Sequence, residues 1–223
     1  MKKAAIFDLD GTLLDSLQDL AAAINEILKR HGYETLPIEV VSRYVGNGLS
    51  MLLKRALADE RQSKAPACGE EFAAILEELI TFYHAHCMDR TAPYEGIEEM
   101  LGVLKEAGMK TAIVTNKNTL AAQTLWQQLF RETVTLVVGE DEAHGIRKKP
   151  EPDMVLTALE KLEISPEDAC YIGDSEVDVE TARNAAMDGI FVLWGFRAGE
   201  ELRKAGGKRL VNTPEELTRE LLK

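Results

Sequence analysis

The sequence predicts a doubly wound, Rossmann-like α/β fold, a parallel sheet covered by helices, with an all-α helical bundle inserted after the first strand. Three observations carry this. Short apolar runs, rich in β-branched residues and ending at polar residues, recur along the chain, as strands buried on both faces require. Amphipathic helical patterns separate them. One stretch, 16–91, breaks the alternation and shows helical periodicity alone.

The first run is Ala4–Phe7, which stops at Asp8. The inserted stretch follows with three apolar stripes at helical spacing. Leu17, Leu20, Ile24, Ile27 and Leu28 form the first, and Leu49, Leu52, Leu53, Ala56 and Leu57 the second. Phe72, Ile75, Leu76, Leu79, Phe82 and Tyr83 form the third, after a polar loop over 59–69. The alternation then resumes. A helix over 96–107 carries Ile97, Met100, Leu101 and Leu104 on one face, with Gly108 placed as its C-terminal cap. Strands are expected at Thr111–Val114, Val134–Val138, Ala169–Ile172 and Ile190–Leu193, and a helix at Pro152–Leu162. Ser165-Pro166-Glu167-Asp168 and Thr213-Pro214-Glu215-Glu216 have the form of capping boxes with proline at the first helical position. The predicted division is a core of 1–15 and 92–223 with a helical insert of 16–91.

Composition narrows the function. The chain has 223 residues, 45% of them hydrophobic and 29% charged, which is globular rather than disordered. Its net charge of −12 excludes a nucleic-acid partner, since binding a phosphate backbone takes clustered Lys and Arg. A small anionic ligand would need a local cation or a metal. Cys68, Cys87 and Cys170 form no CxxC pair, which points to a reducing compartment. The apolar run before Asp8 is too short for the core of a secretion signal, and no run approaches the length of a membrane span. The expectation is a soluble cytoplasmic protein with no membrane partner.

The chemistry gathers at strand ends. Asp8-Leu9-Asp10-Gly11-Thr12 places two carboxylates just past the first strand, where open α/β sheets bind ligands. Residues two apart in extended chain project to one side, and Gly11 allows a sharp turn. Paired acids need a cation or a shared proton. The strand Thr111–Val114 ends in Thr115-Asn116, a hydroxyl and an amide suited to phosphate oxygens. The strand Ala169–Ile172 ends in Gly173-Asp174 with Asp178 four residues on, and Lys148-Lys149-Pro150 precedes it. Singly these are caps, turns and solvated charges. Together they supply a nucleophile, an acid/base, oxygen ligands for a hard metal and a phosphate clamp.

These motifs, in this order, resemble the haloacid dehalogenase-like superfamily of phosphotransferases. The likeness covers the whole chain, because the helical insert is similar to that family's C1 cap. Asp15-Ser16, Tyr44-Val45-Gly46-Asn47-Gly48-Leu49, Ala92-Pro93-Tyr94-Glu95-Gly96 and Val114-Thr115-Asn116-Lys117 resemble its phosphoglycolate phosphatase branch. The resemblance implies Asp8 as nucleophile, giving an aspartyl-phosphate, and Asp10 as general acid and base. It implies Mg2+ held by Asp8, the Asp10 carbonyl and Asp174, with Asp178 behind them. Thr115, Asn116 and Lys149 would bind the phosphate, Lys149 also offsetting the charge on Asp8. The cap would select the substrate through Gly46, Asn47 and Gly48, with Arg43 and Arg55 as cations for a substrate carboxylate. Asp10 disfavours a dehalogenase, which has no alkoxide to protonate. The implied reaction is hydrolysis of a small phosphorylated metabolite, 2-phosphoglycolate first. A pyrophosphatase, a sugar-phosphate phosphatase or mutase, and a non-catalytic phosphate-binding module are the alternatives. Oligomeric state is left open. His84 and His86 lie two apart on a helix and so face different ways, Trp126 and Trp194 read as core or rim, and Glu140-Asp141-Glu142 reads as surface.

Overall fold

The structure, a computed structural model, describes residues 2–141 and 145–223. In chain order the strands are β1 (Ala4–Phe7), β2 (Leu14–Asp15), β3 (Ala92–Pro93), β4 (Lys110–Asn118), β5 (Leu136–Glu140), β6 (Ala169–Gly173), β7 (Asp188–Val192) and β8 (Leu210–Val211). The helices are α1 (Leu17–Arg30), α2 (Ile38–Tyr44), α3 (Gly48–Leu57), α4 (Gly69–His86), α5 (Ile97–Glu106), α6 (Thr119–Leu125), α7 (Asp153–Leu162), α8 (Glu176–Asn184), α9 (Gly199–Ala205) and α10 (Pro214–Leu221). The chain divides into two compact units, Met1–Asp15 with Pro93–Lys223, and Ser16–Ala92.

The first unit is built on a parallel six-stranded sheet in the order β5-β4-β1-β6-β7-β8, while β2 and β3 pair separately. All four residues of β1 are buried, as expected of a central strand with both faces covered. Ala4 pairs with Lys110 on one side and with Ala169 on the other. The chain runs outward from β1 to β4 and β5, then crosses to β6 on the opposite flank. Strand order therefore reverses at β1, and the carboxyl ends of β4, β1 and β6 open the crevice where such sheets bind ligands. Side chains alternate between faces. Ala4, Ile6, Ala112, Val114, Ala169 and Tyr171 belong to one core cluster with Met154, Val155, Ala158 and Leu159 of α7 and Val179 and Ala182 of α8.

Several elements differ from expectation. β4 continues four residues past Val114, and its register with β5 shifts between Val114 and Asn118. Such an irregularity re-aims successive side chains. Ser165 precedes only a short 3-10 turn, Pro166–Asp168, and makes no side-chain cap. Thr213 does cap α10, its Oγ1 accepting from the Glu216 N–H at 3.2 Å, but the Glu216 carboxylate reaches back to the N–H of Asn212 instead. β2, β3, β8, α2, α6, α8 and α9 lie outside the expected set.

The second unit is helical. α1 buries Leu20, Ile24, Ile27 and Leu28, α3 buries Leu52, Leu53, Ala56 and Leu57, and α4 buries Ile75, Leu79 and Tyr83. Asp19, buried in the first turn of α1, accepts hydrogen bonds from the N–H of Arg90 and from the N–H and hydroxyl of Thr91 at 2.7–3.0 Å. This ties the start of the unit to its end. Among the described residues no helix is long and apolar enough to cross a membrane.

Candidate active site

Asp8 follows β1 in the row of Ala4 and Ile6, so its carboxylate stands at the crevice. Its Oδ1 accepts from the Leu9 N–H and from Lys149 Nζ, both at 2.7 Å. Lys149 lies on the loop before α7, and its buried Nζ also donates to Asp178 Oδ1 at 2.8 Å and to the Tyr171 hydroxyl at 3.2 Å. Asp178 is the third residue of α8, where it completes a capping box with Ser175. Its Oδ2 accepts from the Asp174 and Ser175 N–H groups and from the Ser175 hydroxyl, and its Oδ1 also accepts from the Tyr171 hydroxyl at 2.8 Å. One side chain thus ends a helix and anchors the lysine.

Asp174 follows β6. Its Oδ1 accepts from the Thr12 hydroxyl at 3.2 Å, and its Oδ2 from the Phe196 N–H at 2.7 Å. Two glycines make room for it. A Cβ on Gly11, at φ 85°, would stand 2.4 Å from Asp174 Oδ2, and one on Gly195 would stand 2.3 Å from Asp174 Cβ. Both contacts are prohibitively short. Trp194 closes the same corner, donating its indole N–H to the Thr12 carbonyl at 3.0 Å.

Carboxylate oxygens of Asp8, Asp174 and Asp178 lie within 4.8 Å of one another. Burial, then the charge of Asp178, holds Asp8 well above the usual carboxylate range despite Lys149. The same two causes push Asp174 up to about 7, against the Phe196 N–H and the charge of Arg197. Asp178 goes the other way. Burial raises it, but the charge of Lys149 and the hydrogen bonds from Lys149, Ser175 and Tyr171 outweigh that and keep it ionised. Burial pulls Lys149 down, yet the charges and hydrogen bonds of Asp178 and Asp8 outweigh it and hold the ammonium protonated. Three buried acids facing one ammonium leave an excess of negative charge, which is why Asp8 and Asp174 both hold protons more tightly than ordinary carboxylates. An all-oxygen cluster in that condition fits a hard divalent cation.

Asp10 is held apart from this cluster. Its Oδ1 forms an ion pair with Lys117 Nζ at 3.0 Å, and Lys117 is buried at the end of β4. The site thus has two acid–lysine pairs, one at each aspartate of the first motif.

The sequence profile of the haloacid dehalogenase-like hydrolases matches residues 5–192. The chain belongs to this family. Phosphoglycolate phosphatases of Psychrobacter arcticus and Chromobacterium violaceum are each 35% identical to it, over 91% and 96% of this chain and 88% and 94% of theirs. A crystal structure from Lactobacillus delbrueckii subsp. bulgaricus, of a protein whose naming as a phosphoglycolate phosphatase is itself an inference, is also 35% identical. It superposes with a TM-score of 0.91, covering 99% of both chains.

In this haloacid dehalogenase-like hydrolase, Asp8, Lys149, Asp174 and Asp178 meet in one cluster, and Asp10 stands two residues along. Thr115 is buried at the end of β4, its Oγ1 accepting from the Lys117 N–H at 3.1 Å. Two residues expected to meet substrate also have protein partners. The Asn116 amide, expected on phosphate oxygens, is engaged by the Lys149 peptide at both of its polar atoms. In the helical unit, Arg55, expected to meet a substrate carboxylate, donates to the Tyr44 carbonyl and to Asn47 Oδ1, both at 2.8 Å. It braces the turn through Gly46, Asn47 and Gly48. Arg43 is exposed.

Lys117, Tyr171 and the Phe196 N–H were not expected in the site. Lys117 was within reach of sequence reasoning, since a lysine directly after Thr115-Asn116 at a buried strand end is itself a signal. His86 stacks on Phe82 and pairs with Asp89. Trp126 is half-buried and donates to the Val134 carbonyl. Glu140 and Asp141 are half-buried, and Glu142 lies outside the described residues.

The close fit of Gly195 against Asp174 gives a direct test of the cation site. Gly195→Ala should displace Asp174 and weaken binding of any divalent cation the cluster holds by about 10- to 100-fold, as loss of an orienting partner does. A Mg2+ titration of the thermal midpoint reads this without turnover. An unchanged midpoint curve would detach Asp174 from the cation.

Proposed function

We propose that this hydrolase removes phosphate from a small phosphomonoester, 2-phosphoglycolate, with Mg2+ as cofactor and an aspartyl-phosphate on Asp8 as intermediate. The observation that supports this most is the doubled acid–lysine pair: Asp8 with Lys149 at 2.7 Å and Asp10 with Lys117 at 3.0 Å. The first pair suits the phosphoryl group. The second suits a leaving group that carries its own negative charge.

Mg2+ would be held by Asp8, Asp174 and the Asp10 carbonyl, with Asp178 behind them. Once bound it would offset charge on the phosphoryl oxygens. A carboxylate oxygen of Asp8 forms the new bond to phosphorus as the bond to the leaving oxygen breaks. Asp10 gives that oxygen its proton. In the second half Asp10 takes a proton from water, the water oxygen bonds to phosphorus, and the Asp8–phosphorus bond breaks to release phosphate. Acid–base help of this kind is worth about 10²–10⁴-fold, and splitting the displacement into two steps lowers each barrier. Lys149 stays protonated throughout and keeps a positive charge against Asp8. Lys117 is engaged by Asp10 while the site is empty. A substrate carboxylate competes for it and frees Asp10 to face the leaving oxygen. The helical unit, through its turn at Gly46, Asn47 and Gly48, is proposed to select the substrate.

A Mg2+-supplemented phosphate-release panel tests the reading, with 2-phosphoglycolate expected to show the highest kcat/KM among phosphomonoesters. Isomerised sugar phosphate, or preferred cleavage of pyrophosphate, would replace the substrate assignment, and no release from any member would overturn the activity. Lys117→Gln sharpens the test. A charge-assisted hydrogen bond contributes about 1.5–3 kcal/mol, so its kcat/KM for 2-phosphoglycolate should fall about 10- to 100-fold. Turnover of 4-nitrophenyl phosphate, whose leaving group has no carboxylate and needs little protonation, should change by less than about threefold. Equal losses on both would remove Lys117 from substrate recognition.

A further inference from the structure

We propose that Asn116 is a positioning residue: it fixes Lys149 against Asp8 by pairing with the Lys149 peptide, and it acts on the reaction only through that lysine. Its Oδ1 accepts the Lys149 N–H at 2.8 Å and its Nδ2 donates to the Lys149 carbonyl at 3.1 Å. An amide side chain that satisfies both polar groups of one peptide does what a neighbouring strand would do. Among the described residues no strand pairs with the loop at Lys149, so Asn116 stands in for one.

The backbone of β4 explains why this residue can reach. Asn116 continues the row of Ala112 and Val114, which packs in one cluster with Met154, Val155 and Ala158 of α7. The loop of Lys149 leads directly into α7. The register shift between Val114 and Asn118 then separates three successive polar side chains. Thr115 turns back onto the N–H of Lys117, Asn116 takes the Lys149 peptide, and Lys117 takes Asp10.

Lys149 is consequently held at both ends. Asp8, Asp178 and the Tyr171 hydroxyl fix its Nζ, and Asn116 fixes its backbone. All of these groups are buried. A long, flexible side chain delivers an ammonium reproducibly only if its root is fixed, and a displacement of about 1 Å at a reacting centre can cost about 10²-fold. Losing the Asn116 pair frees the root while leaving every charge in place.

The proposal rests on the phosphomonoesterase reading for its kinetics and on hydrogen exchange independently of it. Asn116→Ala should lower kcat by about 10- to 100-fold, with KM changed by less than about threefold. Added to Lys149→Ala, the same substitution should change kcat by less than about twofold, because the residue it serves is gone. In Asn116→Ala the backbone amide of Lys149 should exchange at least about tenfold faster, while amides of β1 keep their protection. Unchanged exchange at Lys149 would overturn the proposal, and so would an undiminished Asn116→Ala loss in the Lys149→Ala background. If the natural chain released phosphate from no ester, the functional reading would fall, and the exchange of this one amide would still decide the role of Asn116.

Discussion

Asp8→Asn is expected to release phosphate at least about 10⁴ times more slowly than the natural chain while remaining folded. The amide oxygen keeps the acceptor that Leu9 and Lys149 use, so the local hydrogen bonds can persist. What disappears is the anionic oxygen proposed to bond to phosphorus. The substitution also removes one of three crowded carboxylates. Burial and Asp178 already hold Asp8 well above its usual range, so an uncharged amide there relieves repulsion. The thermal midpoint of the metal-free variant should therefore equal or exceed that of the natural chain. Phosphate release and thermal unfolding, measured on the same preparation, check both halves. Robust turnover by the variant would reassign the nucleophile.

Lys149→Met should lose both activity and stability. Methionine fills similar space but leaves Asp8 and Asp178 without the ammonium each contacts within 3 Å. Removing one partner of a buried pair costs about 3–5 kcal/mol. In a chain of this size that lowers the thermal midpoint by about 10 °C. Turnover should fall about 10²–10³-fold through loss of charge stabilisation. The pH dependence has a definite sign. Without Lys149 the folded-state pKa of Asp178 rises from its depressed position, and that of Asp8, already raised, rises further. Acids with raised folded pKa values make the native state hold more protons than the unfolded one, so stability falls as pH increases. The deficit should be large at pH 8 and shrink towards pH 5. A deficit independent of pH would mean the loss comes from packing rather than charge.

Much of this was legible in the chain because parallel strands announce themselves. Ala4–Phe7 is apolar throughout and stops at a charged residue, and the strand has those bounds. β4 was legible only to Val114, where apolarity ends. Its continuation through Thr115, Asn116 and Lys117 is polar yet buried, the pattern of a functional strand end that hydrophobic periodicity does not register. β8 has two residues, too few for any period, and α2 has seven.

At the site, spacing was enough to single out the acids and Lys149, since Asp8, Asp10 and Asp174 lie just past strand ends, Asp178 follows four residues on, and Lys149 stands beside a proline. It was not enough to divide the work among adjacent residues. Thr115 and Asn116 look like one phosphate clamp, and only the register shift in β4 separates them. Tyr171 was read as one more apolar residue of β6, because its hydroxyl matters only where Asp178 lies. The Phe196 contribution is a backbone N–H, which has no sequence signature. Nor does sequence reveal that Arg55 donates to the Tyr44 carbonyl and to Asn47.

The position of β1 has a consequence for how the molecule is assembled. This strand is made before its partners, Lys110–Asn118 and Ala169–Gly173, both of which lie beyond the inserted unit. The helical unit needs only the contiguous chain Ser16–Ala92. The strand that leads to Asp8 cannot become the middle of a sheet until synthesis has passed Gly173. By then Asp174 has been made and Asp178 is four residues away. The long-range pairing that slows such topologies thus means that the strand presenting Asp8 is locked in place only when the acids and the lysine that face it are at hand.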